Sequence, residues 1–95
     1  MNKTTIITKL ADQTGINKAD VQTIVENMLE LIQQTLLENE EIHFKGFGRF
    51  CNKKRSQKIG RNITTNTAIT IAAHYVPVLK MSNSFVQQVK EKLKV

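Results

Sequence analysis

The chain has 95 residues, of which 40% are hydrophobic, so we expect one folded domain and not a disordered chain. Its single cysteine, Cys51, excludes an internal disulfide and fits a reducing cytoplasm, and its apolar runs are too short for a secretory signal or a membrane span. Residues 1–41 carry a net charge of −4 and residues 42–95 one of +10, with no Asp or Glu from 42 to 90. This basic half predicts a polyanionic partner, because cations that neutralise phosphates release counterions, whereas a face serving solubility usually includes interspersed acids.

Two amphipathic helices are predicted at the start of the chain. The first is capped by Asn2 or Thr4 and runs to about Thr14, and Gly15 stops it. The second begins after Asn17 and ends near residues 38–39. Its apolar residues follow three- and four-residue steps: Val21, Ile24, Val25, Met28, Leu29, Ile32, Leu36 and Leu37, with Leu31 widening the stripe. One short neighbouring helix cannot cover so wide a stripe, so we expect a partner subunit to cover it.

The hydrophobic period changes from helical to alternating at Ile42, which predicts β-strands. Residues 46–48, Gly-Phe-Gly, interrupt the strand pattern and suggest a bulge or a close backbone approach. Residues 52–67 contain only two large apolar side chains, Ile59 and Ile63, so they cannot pack into a core. This basic segment is therefore either a disordered loop or a projecting ribbon.

A third strand region and a last helix complete the pattern. Residues 68–72 and 75–79 are strand-like, and Pro77 places the second of these runs at a sheet edge or a strand end. Ser82 can cap a final helix. The order is ααβββα with a basic insertion between the second and third strands, and it shows no internal repeat and no second domain. Fewer than about 80 residues remain for the core, which favours a dimer.

Four short motifs make essentially the whole chain resemble the HU/IHF family of bacterial histone-like DNA-binding proteins. They are Met1-Asn2-Lys3-Thr4 before an amphipathic helix, Gly46-Phe47-Gly48-Arg49-Phe50, Gly60-Arg61-Asn62, and Val76-Pro77-Val78-Leu79-Lys80. The second of these resembles the family's glycine-phenylalanine-glycine turn, and the third resembles the start of its arm-tip motif. Each motif alone is weak. Their order and spacing, with the basic insertion between the second and the third, carry the resemblance.

The resemblance implies an α+β fold in an intertwined dimer. Each chain would supply two N-terminal helices, a three-stranded antiparallel sheet with a protruding β-ribbon arm, and a C-terminal helix. Residues 1–40 would form the helical dimerisation part, 41–80 the sheet with its arm at about 52–75, and 81–95 the last helix. A homodimer is expected, with a heterodimer as the alternative. Arms of this family enter the minor groove of duplex DNA, and an apolar residue at each tip wedges between base pairs.

Candidate DNA-binding residues follow from this resemblance and from the charge of the arm. Cations along the arm can follow a narrow, electronegative groove, and they are Lys53, Lys54, Arg55 and Lys58. The tip contributes Arg61, Asn62 and the wedge candidate Ile63. Outside the arm, three further residues either contact phosphates or are ordinary surface charges: Lys3, Arg49 and Lys80.

The sequence departs from the usual family pattern in three places. Ile63 stands where the family tip commonly has proline, and isoleucine is apolar and stiff enough to act as a wedge. Asn66 replaces the glycine that often follows, and it tolerates a left-handed turn. Asn83 and Val86 occupy positions of the last helix that are frequently basic, which predicts a weaker phosphate-binding saddle and a shorter DNA footprint than in typical relatives.

No arrangement of residues in the sequence predicts an enzyme, a cofactor or a metal site. His43 and His74 have no convincing carboxylate or cysteine set beside them, and Cys51 is expected to be a free thiol on a strand. The sequence therefore predicts an architectural protein of the nucleoid that binds duplex DNA through the minor groove with little sequence specificity, and bends and compacts it. The alternatives are a site-preferring bender of the IHF kind and a protein-interaction dimer of the same fold that has lost DNA bending. RNA is an alternative polyanion.

Overall fold

A computed structural model describes residues 1–62 and 67–95, and its contacts divide the chain into two compact units, Met1–Thr35 and Leu36–Val95. Helix α1 spans Lys3–Thr14. The Asn2 side chain caps it by accepting a hydrogen bond from the Thr5 backbone N–H at 2.9 Å. Gly15 ends it in the left-handed conformation, with φ of 72°, and donates its N–H to the Ala11 carbonyl. The predicted start and stop of this helix are confirmed.

Helix α2 spans Lys18–Leu37. Asn17 precedes it, and its side chain accepts a hydrogen bond from the Ala19 N–H at 2.8 Å, as a capping residue does. The chain leaves the helix through Asn39, which has a φ of 59° and donates its N–H to the Leu36 carbonyl. Asparagine tolerates this left-handed geometry better than most residues. Both predicted ends of α2 are therefore confirmed.

The strands of the second unit form a three-stranded sheet and a two-stranded ribbon. Strands β1 (Ile42–Phe44), β2 (Gly48–Arg55) and β5 (His74–Met81) make an antiparallel sheet in the order β1-β2-β5. Strands β3 (Lys58–Asn62) and β4 (Thr67–Ile71) pair with each other as the ribbon. The predicted antiparallel sheet with a basic ribbon is confirmed, and Pro77 lies on the edge strand β5.

The ribbon continues the register of the sheet. Arg55 pairs with His74 at the end of β2, and Lys58 pairs with Ile71 at the start of β3, so two residues separate the pairs on each chain segment. Because the two gaps have equal length, the interruption introduces no register shift. The basic insertion is therefore an extension of the hairpin made by β2 and β5, and the disordered-loop alternative is wrong for the described residues.

The Gly-Phe-Gly segment is a turn that joins β1 to β2, as the family resemblance implies, and not a bulge within a strand. Gly46 adopts a φ of 79°, and the Phe47 N–H donates to the Phe44 carbonyl at 3.0 Å, which closes the turn. Gly48 begins β2 against the backbone of β5: a Cβ at this position would collide with the Lys80 carbonyl oxygen. A close backbone approach, the other expectation for this segment, is confirmed at Gly48.

Helix α3 spans Asn83–Lys92, and the Ser82 side chain caps it by accepting a hydrogen bond from the Phe85 N–H at 3.3 Å. An aromatic cluster connects this helix to the sheet. The rings of Phe47 and Phe85 stack with centroids 6.5 Å apart, and Phe44 meets both Phe47 and Phe50 edge to face at 6.2 Å. These contacts hold the start of α3 against the turn between β1 and β2.

Little of the apolar surface is buried in one copy of the chain. Among the described residues, the buried hydrophobic side chains are Ile7, Val21 and Cys51. Much of the predicted apolar stripe of α2 is exposed, with Ile24 at 63% and Leu31 at 66%. Monomeric proteins rarely expose apolar surface on this scale, so the stripe has the character of an interface.

Candidate nucleic-acid interface

The sheet has two chemically different faces. Side chains alternate between faces along a strand, and residues paired directly across strands share a face. One face, which we call the Phe50 face, carries Ile42, Phe44, Phe50, Asn52, Leu79 and Met81. The other, which we call the Arg49 face, carries His43, Arg49, Cys51, Lys53, Arg55, His74, Val76, Val78 and Lys80. Most of the positive charge of the sheet is therefore on one side.

The arm residues Lys53 and Arg55 lie two positions apart on β2, so both project from the Arg49 face, and both are exposed. Lys54 lies between them and projects from the Phe50 face, where it pairs with Tyr75, a residue that is 60% exposed. The structure therefore brings two of the predicted arm cations together and directs the third to the other side. An extended polyanion that contacts the Arg49 face of β2 would meet Lys53 and Arg55 first.

The ribbon carries the remaining arm candidates. Lys58 is exposed at the start of β3 and pairs with Ile71. Arg61 and Asn62 belong to the same strand, with Ala68 and Thr67 as their backbone partners. Ile63 and Asn66 lie outside the described residues. The roles of the Arg61 and Asn62 side chains, and of Ile63 as a wedge, stay predictions.

A row of basic residues crosses the sheet on the Arg49 face. His43 on β1 pairs with Arg49 on β2, and Arg49 pairs with Lys80 on β5. The structure thus joins two predicted site residues, Arg49 and Lys80, to a third residue that the sequence did not single out. A depression of about 480 Å³ adjoins the row, and its polar lining is completed by Lys45, Ser82 and Asn83.

His43 is paired with a single carboxylate, which is not the set of ligands that a metal site requires. Its Nε2 lies 3.0 Å from Glu41 Oε2, and Arg49 Nη1 lies 4.0 Å from the same oxygen. Glu41 and His43 are two residues apart, a spacing that places both side chains on one face of an extended strand and that the sequence could have revealed. Within the described residues, no group of three or more His, Cys, Asp or Glu side chains is placed to hold a metal ion.

Lys3, the candidate in the first unit, is engaged in an ion pair. Its Nζ lies 3.3 Å from Glu26 Oε1. A hydrogen bond from Gln22, together with the hydrogen bond and positive charge of Lys3, lowers the pKa of Glu26 below its ordinary value. Both partners are exposed, so the pair is weak and a phosphate can replace the carboxylate. Phosphate contact by Lys3 stays a prediction.

These features define a class of protein: a small α+β fold with a basic β-ribbon and a basic sheet face suited to a polyanion. Comparison with known proteins agrees with it. The family model described as bacterial DNA-binding protein matches residues 1–90. The chain is 32% identical to DNA-binding protein HU of Clostridium pasteurianum over 91 residues, covering 96% of this chain and all of that protein. It is 36% identical to DNA-binding protein HU-alpha of Serratia marcescens over 90 residues, covering 95% of this chain and all of the relative.

Solved structures give the same result. The HU chain of an Anabaena HU–DNA cocrystal structure matches with a TM-score of 0.88 at 27% identity, covering 94% of this chain and 97% of that one. A variant of HU from Thermotoga maritima matches with a TM-score of 0.72 at 30% identity, covering 95% of this chain and all of the other. The chain therefore belongs to the HU family of bacterial DNA-binding proteins. None of the helices in the described residues is long and apolar enough to cross a membrane.

Proposed function

We propose that this protein is a homodimeric architectural protein of the nucleoid that binds duplex DNA through the minor groove with little sequence specificity, and bends and compacts it. The observation that carries the proposal is the basic hairpin formed by β2 and β5. Lys53 and Arg55 share one exposed face of this hairpin, and residues 42–90 contain no acid. Neutralising several phosphates with such a hairpin supplies the sequence-independent part of DNA binding.

Bending is proposed to depend on Ile63, the apolar residue that the sequence predicts at the tip of the arm. Inserting an apolar side chain between base pairs costs a few kcal/mol per unstacked step, and additional phosphate contacts along the wrapped duplex offset this cost. The HU chain of the Anabaena protein, whose fold this chain shares, was crystallised with DNA, which supports a duplex as the ligand here.

The first experiment is a salt series of energy-transfer measurements on a short mixed-sequence duplex labelled at both ends. We expect binding that weakens steeply with salt and brings the two ends closer together. Binding without end approach would mean that the arms follow the groove without kinking the duplex. Absence of binding at low salt would favour a protein-interaction dimer that has lost DNA bending.

Two arm variants test the tip. Arg61→Ala should weaken binding and lower the salt slope by about 1, because one phosphate or groove contact is lost. Lys9→Ala is the matched control, since it removes one exposed cation from the acidic half of the chain. Ile63→Ala should reduce bending more than affinity. An equal loss of both would identify Ile63 as a structural residue and not a wedge.

Sequence preference distinguishes this proposal from a site-preferring bender of the IHF kind. Such a protein would select DNA through its deformability, because the energy needed to bend a duplex depends on its sequence. Competition between duplexes of different sequence should give nearly equal affinities for the proposed protein. A strong preference for particular steps would favour the site-preferring alternative.

A further inference from the structure

His43 belongs to a row of three basic residues on the sheet, separate from the arm. His43, Arg49 and Lys80 are paired directly across β1, β2 and β5, so their Cβ atoms follow one another at about 4.5–5.5 Å on one face. The His43 and Arg49 side chains are 65% and 42% exposed, so both can reach a ligand. Three cationic groups at this spacing repel one another, and a phosphate bound between them by charge-assisted hydrogen bonds relieves this repulsion.

The surroundings of the row contain more positive than negative charge. Within the described part of residues 36–95, the charged groups that face His43 are Glu41, Lys45, Arg49 and Lys80. Lys45 lines the same depression from the turn between β1 and β2. One carboxylate therefore faces three permanent cations and one imidazole, whose charge depends on pH.

The Glu41 carboxylate competes with a bound phosphate for these cations. Its Oε2 lies 3.0 Å from His43 Nε2 and 4.0 Å from Arg49 Nη1, so a single carboxylate oxygen holds both side chains. The pairs are exposed and therefore weak in water. A duplex phosphate, which brings neighbouring negative charges with it, can displace the carboxylate from Arg49 and His43.

We propose that His43 makes DNA binding by this protein tighten as the pH falls, because its protonated imidazole completes with Arg49 and Lys80 a row of three cations that binds a duplex phosphate. This inference rests on the proposed function and adds a proton-dependent contact outside the arm. Imidazole side chains change charge between about pH 5 and pH 8, so the effect falls within that range. The same row supplies positive charge that α3 does not, since Asn83 and Val86 occupy positions of that helix that are frequently basic.

The direction in which the DNA affinity changes with pH follows from thermodynamic linkage. A phosphate beside His43 stabilises the protonated imidazole, so DNA binding takes up protons and the affinity rises as the pH decreases. The salt slope should be steeper at low pH by about 1 for each His43 engaged, because one more phosphate charge is neutralised. The Glu41 carboxylate competes with the phosphate for the same cations and offsets part of the gain.

The test measures binding of the full-length protein to a mixed-sequence duplex by salt titration at about pH 5.5 and about pH 8. The wild-type protein should bind several-fold more tightly, with a steeper salt slope, at the lower pH. His43→Asn should lose this difference between the two pH values. His43→Lys should bind at both pH values with the steeper slope, since its charge is permanent over this range.

His74→Asn is the matched control. His74 is the other histidine of the chain and lies on the same face, paired with Arg55 at the base of the arm. Its Nδ1 lies 2.8 Å from the Ala72 carbonyl oxygen, and it has no place in the row. The His74→Asn variant should retain the pH difference that His43→Asn loses. Glu41→Gln should raise the affinity at both pH values by releasing the cations of the row.

The outcomes separate this inference from the proposed function. DNA binding whose pH difference survives in His43→Asn would overturn the inference and leave the proposed function intact. Equal salt slopes of His43→Lys and the wild type at about pH 8 would overturn it as well. Failure of the wild-type protein to bind the duplex at either pH would overturn the proposed function, and the inference with it.

Discussion

Asn52 shows how one polar residue holds β2 to the end of α2. Its side chain lies on the Phe50 face, where a strand normally places an apolar residue, and it is partly buried. Its Nδ2 donates to the Leu36 carbonyl oxygen at 2.6 Å and lies 3.2 Å from Asn39 Oδ1. The Leu36 carbonyl belongs to the last turn of the helix, where carbonyl groups lack their i+4 partners, and it also accepts a hydrogen bond from the Asn39 N–H. Asn52 therefore acts as a side-chain cap supplied by a strand.

We expect Asn52→Ala to lower the free energy of unfolding by about 1 kcal/mol, because the partly buried carbonyl of Leu36 loses one of its two donors. The measurement is chemical denaturation at a fixed protein concentration. Asn27→Ala is the control: Asn27 also donates to a helix carbonyl, that of Thr23, but it is exposed on α2. If Asn52→Ala lowered the free energy of unfolding no more than Asn27→Ala does, the contact with Leu36 would contribute little.

At the scale of elements, the junction of β2 and β5 depends on the absence of a side chain at residue 48. A Cβ at Gly48 would collide with the Lys80 carbonyl oxygen and lie 3.1 Å from the Met81 Cα, both backbone atoms that cannot rotate away. At Gly60 in the ribbon, the same Cβ would meet, among the described residues, only Ile71 Cδ1 at 3.7 Å and the Ile69 carbonyl oxygen at 3.9 Å. The two glycines therefore have different roles.

Gly48→Ala should destabilise the protein by about 1–3 kcal/mol, the usual cost of overpacking, and should separate the first pairs of β2 and β5. Gly60→Ala, the same chemical change in the other hairpin segment, should be close to neutral, since its contacts are ordinary. Thermal unfolding gives the stabilities, and amide exchange at Met81 and Ser82 reports the local opening. Equal destabilisation by both substitutions would contradict the structural argument.

The elements differ in how well the sequence predicts them. The three helices are predicted with their caps because Asn2, Asn17 and Ser82 act within three residues of the groups they satisfy. The cross-strand partners are harder to predict from the sequence, since the register of the strands depends on contacts between distant segments. The row formed by His43, Arg49 and Lys80 was therefore missed although each residue is visible in the sequence. The Gly-Phe-Gly turn is predicted by the family resemblance and not by the strand pattern alone, because glycine marks both bulges and turns.

At the scale of the whole molecule, exposed apolar surface is the main feature that one copy of the chain leaves unexplained. Both the stripe on α2 and the last helix contribute to it: Leu31 is 66% exposed, and Val89 is 40% exposed on α3. A core of three buried hydrophobic side chains among the described residues is too small to offset the conformational entropy lost on folding. Pairing with a second copy is the simplest way to cover this surface.

We therefore expect the melting temperature to rise with protein concentration, because dimerisation stabilises the folded state by mass action. Leu31→Glu should lower the melting temperature and shift the protein towards unfolded monomer, since it places a charge in the covered stripe. Gln33→Glu introduces the same charge at an exposed polar position of α2 and should leave both properties nearly unchanged. Thermal scans at several concentrations and sedimentation equilibrium measure the two effects. A melting temperature independent of concentration, with the mass of a folded monomer, would contradict the homodimer and require another partner for the stripe.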